Sequence, residues 1–190
     1  EPALRKVCLS VPFNDQKPGT SGLRKSSKHF EQPHYLESFI EAVLQTLPGV
    51  QGGTLILGGD GRYGNKHAID VILRMGSAHG LGKIITTTEG ILSTPAASHL
   101  IRSKQAIGGI ILSASHNSGG PEGDFGVKVN GANGGPAPES LTNDIYACSQ
   151  ALHEYKIIDN QILSLSKESH HSINGMTVEI IDGVEDYVNL

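Results

Sequence analysis

Tryptophan is absent from this 190-residue chain, and only two cysteines are present. Cys8 and Cys148 stand far apart and form no Cys-x-x-Cys pattern, so we interpret them as reduced thiols, although the sequence leaves a disulfide between them open. No apolar run is long enough for a membrane helix, and the stretch at residues 7–11 is too short for a signal-peptide core. We therefore expect a cytoplasmic location and no membrane partner.

An excess of basic residues is also missing. The formal net charge is −4, so the chain as a whole offers no electrostatic case for binding nucleic acid. Hydrophobic residues make up 37%, which is enough to build a core in a single domain. Glycine is abundant, with 24 residues, and this favours tight turns and close backbone approaches in functional loops.

Strand and helix patterns alternate through the middle of the chain. Strands are predicted at residues 6–12, 54–57, 83–87, 106–112, 126–130 and 177–181, and helices at residues 33–47, 65–79, from 94 onward and 138–155. Thr94 is predicted to cap the third helix, with Pro95 at its first position. The alternation predicts an α/β fold, a three-layer α/β/α sandwich with a mostly parallel mixed sheet. The polar residues 160–174, with His170 and His171, are expected to form an exposed surface excursion.

Three unusual segments follow predicted strands. They are Gly-Thr-Ser-Gly-Leu-Arg at residues 19–24, Gly-Gly-Asp-Gly-Arg at residues 58–62 and Ser-Ala-Ser-His-Asn at residues 113–117. In open α/β sheets, ligands bind at the carboxyl ends of the strands. We therefore expect the three segments to share one site.

Ser115 is the candidate centre of that site. It follows a buried strand and enters a glycine-rich turn, where successive backbone N–H groups can bind an anion. A phosphoserine there would carry about −1.5 to −2 charges and need cations nearby. The available cations are His116, Lys128, Arg24 and Lys25. A serine-rich turn without chemistry fits the spacing equally well, whereas a Gly-x-Ser-x-Gly elbow and a Gly-x-Gly-x-x-Gly dinucleotide loop do not match.

Each charged candidate also has an ordinary structural interpretation. Lys128 fits an exposed strand lysine, His116 a turn residue bonded to the backbone, and Arg24 a solvated surface arginine. Asp60 and Arg62 are predicted to pair and brace the cleft. Asp124 is expected to hold its loop, because a lone carboxylate makes a poor metal cage.

The serine segment resembles the active-serine loop of the α-D-phosphohexomutases. The run Gly-Gly-Pro-Glu-Gly-Asp-Phe-Gly-Val-Lys at residues 119–128 narrows the resemblance to the phosphoglucomutase branch. Further matching segments lie at residues 17–25, 58–63, 90–96 and 133–139. They occur in the family order and span nearly the whole chain, so the series is more specific than any one motif.

The resemblance implies the first of four domains, with the other three absent from these 190 residues. The family interconverts glucose 1-phosphate and glucose 6-phosphate through a phosphoserine and glucose 1,6-bisphosphate, which also serves as activator. Its Mg²⁺ bridges the phosphate on the serine, here Ser115, and an aspartate loop of the second domain. The matching catalytic positions are Ser115, His116 and Lys128, and the matching substrate- or phosphate-binding positions are Thr20, Ser21, Arg24 and Asn117. The implied partners are a sugar phosphate and the remaining domains.

Two residues depart from the family pattern. Ser118 stands where the family usually has proline, and Gly64 stands where it has a second aromatic residue after Tyr63. Loss of proline frees φ and is expected to loosen the serine loop. A catalytically inactive family member that acts as a scaffold or adhesion protein is therefore the alternative.

Overall fold

Nine strands and five helices are present in residues 4–159 and 169–182, the part of the chain that the computed structural model describes. The strands are β1 (Arg5–Leu9), β2 (Leu23–Ser26), β3 (Thr54–Gly59), β4 (Lys83–Thr87), β5 (Gly108–Leu112), β6 (Asp124–Gly131), β7 (Glu154–Ile158), β8 (Ser169–Ile173) and β9 (Met176–Ile181). The helices are α1 (Ser27–Phe30), α2 (Tyr35–Thr46), α3 (Asn65–Ala78), α4 (Thr94–Ser103) and α5 (Glu139–Ser149). None of these helices has the length and apolarity needed to cross a membrane.

Seven of the strands form one mixed sheet in the order β2-β6-β5-β3-β4-β9-β8. The four central strands β5, β3, β4 and β9 run parallel, whereas β6, β2 and β8 join at the two sides in antiparallel pairing. The α/β class, the mixed sheet and the returning strand β6 are thus confirmed, and parallel pairing is confined to the centre.

Helices cover both faces of the sheet. Leu55 and Leu57 of β3 pack with α2, α3 and α5 in the larger apolar cluster, whereas Ile56 packs with Leu100 of α4 in the smaller one. Successive strand residues point to opposite faces, so one buried strand serves both clusters. The result is the predicted three-layer arrangement.

The N-terminus of α4 differs from prediction by one residue. Ser93 is the N-cap, and its hydroxyl accepts a hydrogen bond from the Ala96 N–H at 3.3 Å. Thr94 is the first residue of the helix, so its prediction as the cap is wrong. Pro95 lies in the first helical turn, where a missing N–H has no intrahelical partner to lose.

The predicted helix at residues 138–155 ends at Ser149, and the following segment forms β7. This strand pairs with β1 in a separate two-stranded sheet, so β1 does not belong to the main sheet. The pairing lets Tyr155, Ile157 and Ile158 enter the larger apolar cluster, which outweighs the helical pattern of the local sequence. The elements β2 and α1 were not predicted.

Part of the expected surface excursion is a strand. β8 pairs with β9 through a tight hairpin in which Asn174 and Gly175 have φ values of 47° and 87°, as a two-residue hairpin turn requires. His170 is exposed as predicted, but His171 is only partly exposed, so that interpretation is wrong for His171. The remainder of the excursion, residues 160–168, and the residues after 182 lie outside the described part of the chain.

A buried carboxylate ties α2 to distant elements. Glu41 is 1% exposed, and its Oε1 accepts hydrogen bonds from His79 Nε2 at 2.8 Å and from the Lys156 backbone N–H at 2.7 Å. Gln45 Nε2 donates to the other oxygen at 2.7 Å. Burial raises the pKa of Glu41, but these donors outweigh it and leave the pKa below its ordinary value of 4.5.

Replacing Glu41 by alanine is expected to lower the free energy of unfolding by about 3 kcal/mol at pH 7, because His79 and the Lys156 N–H lose their buried acceptor. A carboxylate with a lowered pKa stabilises the fold above its unfolded pKa and loses this effect as the pH falls through the folded value. The difference in the free energy of unfolding between wild type and variant should therefore shrink as the pH falls below the ordinary glutamate pKa of 4.5.

Urea unfolding of the chain at pH 7 and at acidic pH measures this difference. The matched control is Glu122→Ala, whose partner Lys28 is also exposed and whose effect should stay within about 1 kcal/mol. Equal destabilisation by the two substitutions would show that the Glu41 contacts contribute no more than a surface ion pair.

Candidate functional site

Ser115 lies in the turn that connects β5 to β6. It is exposed and has a φ of 56°, in the left-handed region that a non-glycine residue occupies only when its surroundings hold it there. Its N–H donates to the Ser113 hydroxyl at 3.1 Å, and the Asn117 N–H donates to the Ala114 carbonyl at 3.1 Å. The turn therefore leaves Ser115 accessible while the Ser113 hydroxyl is engaged with the backbone.

Arg62 connects the second glycine-rich segment to this turn, and its side chain is only 9% exposed. Its Nε donates to both Asp60 oxygens at 2.9 and 3.0 Å, so the predicted ion pair is present. Its Nη1 donates to the carbonyls of Asp124 and Asn117 at 3.0 and 3.3 Å, and its Nη2 donates to the Ser115 carbonyl at 3.1 Å. These three contacts with the serine turn were not predicted.

The turn presents backbone donors to solvent. Within the described residues, the N–H groups of His116, Ser118 and Gly119 donate to no protein acceptor. Ser118 and Gly119 are adjacent, and successive free N–H groups in a turn are a common anion-binding arrangement. The turn is therefore suited to a phosphate, and the exposed imidazole of His116 lies within it without a protein hydrogen bond from the parts of the chain described here.

Asp124 holds the far side of the turn, as predicted. Its carboxylate accepts from the Asn117 side-chain amide at 3.2 Å, and its N–H donates to the Ser118 carbonyl at 2.8 Å. The side chain of Asn117 is thereby turned toward Asp124. Ser118, the residue that replaces the usual proline, is anchored through its carbonyl.

Arg24 and Lys128 lie on two paired strands at one side of the sheet, Arg24 on β2 and Lys128 on β6, which in turn pairs with β5. Arg24 is opposite Gly126, whose carbonyl accepts from the Ser113 N–H at 2.9 Å, and Lys128 is opposite Ile111. Arg24 and Lys128 are thus diagonal neighbours on one sheet face, because Lys128 is two residues beyond Gly126. Neither side chain has a hydrogen bond or ion pair within residues 4–159 and 169–182, so both charges remain available to an anion.

Thr20 and Ser21 form the tip of a tight turn beside β6. Gly19 and Gly22 exchange backbone hydrogen bonds at 3.0 and 3.1 Å, and both tip residues are exposed. Gly22 has a φ of 87°, and a Cβ there would lie 2.4 Å from the Val127 carbonyl, so only glycine permits this approach. The segment reaches the site through the pairing of β2 with β6, and not as the end of a main-sheet strand as predicted. The three segments at residues 19–24, 58–62 and 113–117 are nonetheless brought together.

The site offers no metal cage of its own. The described residues contain no group of three or more His, Cys, Asp and Glu side chains that could hold a metal ion. Three carboxylates at or beside the turn are already engaged, Asp60 by Arg62, Asp124 by Asn117 and Glu122 by Lys28. Among the described residues, these carboxylates are therefore held by protein partners.

Known proteins resemble this chain closely. Residues 15–156 match the family model "Phosphoglucomutase/phosphomannomutase, alpha/beta/alpha domain I". The chain is 50% identical over 185 residues to the phosphoglucomutase of Rhizobium radiobacter and 51% identical over 180 residues to that of Schizosaccharomyces pombe, covering 97% and 94% of the chain. These matches cover 34% and 32% of the two relatives, so the chain spans about a third of their length.

A solved structure has the same fold. It is the open form of the Paramecium protein described as the exocytosis-sensitive phosphoprotein pp63/parafusin, a phosphoglucomutase. The TM-score is 0.93 at 38% identity, and the alignment covers 99% of this chain and 36% of that one. The fold, the arrangement of the glycine-rich segments and these similarities agree, and the chain belongs to the phosphoglucomutase/phosphomannomutase family as its α/β/α domain I.

Proposed function

We propose that the protein containing this chain is an isomerase that interconverts glucose 1-phosphate and glucose 6-phosphate, with Ser115 as the residue that carries the phosphoryl group. The observation that supports it best is the position of Ser115, which is exposed in a turn with free N–H groups between β5 and β6. Arg24 and Lys128, on β2 and β6, have no partner among the described residues. The curated relatives described above are named phosphoglucomutase, which supports the glucose phosphates as substrates.

The proposed reaction transfers the phosphoryl group from Ser115 to a sugar hydroxyl and gives glucose 1,6-bisphosphate. The bisphosphate reorients, and its other phosphate returns to Ser115. Phosphoryl transfer depends mainly on positioning and charge neutralisation, which suits a turn of backbone donors. Lys128 and His116 exchange the proton of the sugar hydroxyl, and Arg24 neutralises phosphate charge. Thr20, Ser21 and Asn117 complete the substrate side of the cleft.

Mg²⁺ is the proposed cofactor, and glucose 1,6-bisphosphate is the activator that restores the phosphoserine. A phosphate oxygen on Ser115 is the ligand that the described residues would contribute, since the carboxylates Asp60 and Asp124 are bound to Arg62 and Asn117. When bound, the ion neutralises charge on the transferring phosphoryl group. We further propose a cytoplasmic location, with which the free thiols of Cys8 and Cys148 agree.

The alternative of an inactive scaffold or adhesion protein is not favoured. Its motivation was a loosened serine loop, yet this loop is held by Arg62 and Asp124 despite Ser118. The curated relatives that match nearly the whole chain carry the name of the enzyme.

A coupled assay on the full-length protein tests the proposal. With glucose 1-phosphate, Mg²⁺ and a trace of glucose 1,6-bisphosphate, formation of glucose 6-phosphate is expected at about 1–10³ s⁻¹, the range of ordinary enzymes. A folded protein that gives no turnover over the whole range of Mg²⁺ and bisphosphate concentrations would contradict the assignment and leave the scaffold alternative.

A further inference from the structure

We propose that Arg62 is a positioning residue that holds Ser115 in its left-handed conformation. The catalytic part of this inference rests on the function proposed above, whereas the conformational part concerns the turn alone. Besides the Asp60 carboxylate, the Arg62 guanidinium contacts three main-chain carbonyls, one of which belongs to Ser115 itself.

The conformation of Ser115 requires an external restraint. A φ of 56° is unfavourable for serine because its Cβ crowds the backbone. Side-chain packing does not supply the restraint, since Ser115, His116 and Asn117 are all exposed. Two contacts remain at the residue: its N–H donates to the Ser113 hydroxyl, and its carbonyl accepts from Arg62 Nη2. Of these two hydrogen bonds, only the one from Arg62 joins Ser115 to another segment of the chain.

The geometry of the contact requires a planar, multidentate donor. Three carbonyls, from Ser115, Asn117 and Asp124, converge on one guanidinium from both ends of the turn. Lysine would offer a single ammonium on a flexible stem and could not reproduce this fork. Because the Arg62 side chain is only 9% exposed, water competes poorly for these bonds.

Arg62 is itself anchored to the sheet. The Asp60 carboxylate accepts the hydrogen bonds from Arg62 Nε, and it also accepts one from the Arg62 backbone N–H at 3.2 Å. The Asp60 N–H in turn donates to the carbonyl of Leu112, the last residue of β5, at 3.1 Å. Asp60 and Arg62 thus fix the position of the turn relative to the end of β5. The Asp60 carboxylate also balances the charge of Arg62, so Arg62 acts on the phosphate through geometry more than through charge.

The test is Arg62→Lys in the full-length protein, with Arg102→Lys on an exposed part of α4 as the matched control. Arg62→Lys should lower kcat roughly 30- to 100-fold with KM changed less than about threefold, the pattern of a misplaced reacting group. Hydrogen exchange of the Ser115 and Asn117 amides, which are hydrogen-bonded within the turn, should rise about tenfold or more, while that of the central strands stays at the wild-type rate. Arg102→Lys should match wild type in every measurement.

Chemical rescue adds a second readout. Millimolar guanidinium should restore part of the activity lost in Arg62→Ala, whereas equal concentrations of sodium chloride or urea should not. Wild-type kcat and wild-type loop exchange in Arg62→Lys would overturn the inference. A fall in kcat with unchanged loop exchange would also overturn it, because the lost activity would then not come from a loosened turn. If the wild-type protein had no mutase activity but Arg62→Lys raised loop exchange, the proposed function would fail and the positioning role would stand.

Discussion

Replacing Ser115 by alanine in the full-length protein is expected to lower turnover of glucose 1-phosphate by at least about 10⁴-fold, the scale of removing a covalent nucleophile. The reason is that no phosphoenzyme can form without the hydroxyl that this turn exposes. Alanine removes little else, because Ser115 is exposed and its hydrogen bonds with the described residues are made by the backbone N–H and carbonyl. A coupled assay and thermal unfolding of the same preparations measure both effects.

Ser113 provides the matched control for that substitution. Its hydroxyl is already engaged by the Ser115 N–H at 3.1 Å, so Ser113→Ala should cost at most about tenfold in turnover, the equivalent of one hydrogen bond. After incubation with glucose 1,6-bisphosphate, mass spectrometry should locate the phosphoryl group on Ser115. A label on Ser113, with Ser115 unmodified, would refute the assignment.

Lys128→Met is expected to lower kcat by about 10²- to 10³-fold while KM changes less than about threefold. Lys128 is half-buried and shares a sheet face with Arg24, and its ammonium has no partner among the described residues. A group in this position contributes mainly when charge and protons move, so its loss should appear in the transition state more than in substrate binding.

The control for Lys128 lies on the neighbouring strand. Lys25 is opposite Phe125, whose side chain belongs to the larger apolar cluster, and therefore lies on the other sheet face. Lys25→Met should keep kcat within about threefold of wild type. Steady-state kinetics over a range of glucose 1-phosphate concentrations separates the two parameters. An effect of Lys128→Met that is confined to KM would indicate that Lys128 binds phosphate in the ground state and does not transfer a proton.

Local patterns predicted most of the central fold. Apolar residues at helical spacing located α2 and α3 to within two residues, and the short buried runs located β3, β4 and β5. The helices are buried along one stripe and the strands on both faces. Their buried positions therefore coincide with the apolar positions of the sequence pattern. The ordered glycine-rich segments likewise predicted which loops meet.

Elements that depend on a distant partner were missed. β2 contains Arg24 and Lys25 in four residues and has no strand pattern of its own, because it is an edge strand stabilised by pairing with β6. β7 was not predicted, and its first two residues were assigned to the preceding helix. Its identity as a strand comes from β1, at the opposite end of the described chain.

The same limit applied to the site. The sequence indicated that Asp60 and Arg62 pair, since two residues in one short loop are neighbours in any fold. The bonds from Arg62 to the carbonyls of Ser115 and Asp124 span 53 and 62 residues, and main-chain acceptors leave no trace in residue type. The left-handed φ of Ser115 was equally invisible, because glycine is the residue that would have signalled it.

The ribbon of β1 and β7 sets an order of events during synthesis. The Lys6–Asp159 hydrogen bond beside this ribbon joins residues 153 positions apart. At roughly 5–20 residues per second, a ribosome needs about 8–30 s to make the chain between them. Helices and hairpins form in microseconds, so they can form long before β1 meets its partner. β1 therefore waits unpaired in the nascent chain, before Cys8 can pack against the larger apolar cluster, and its docking is timed by translation and not by the speed of folding.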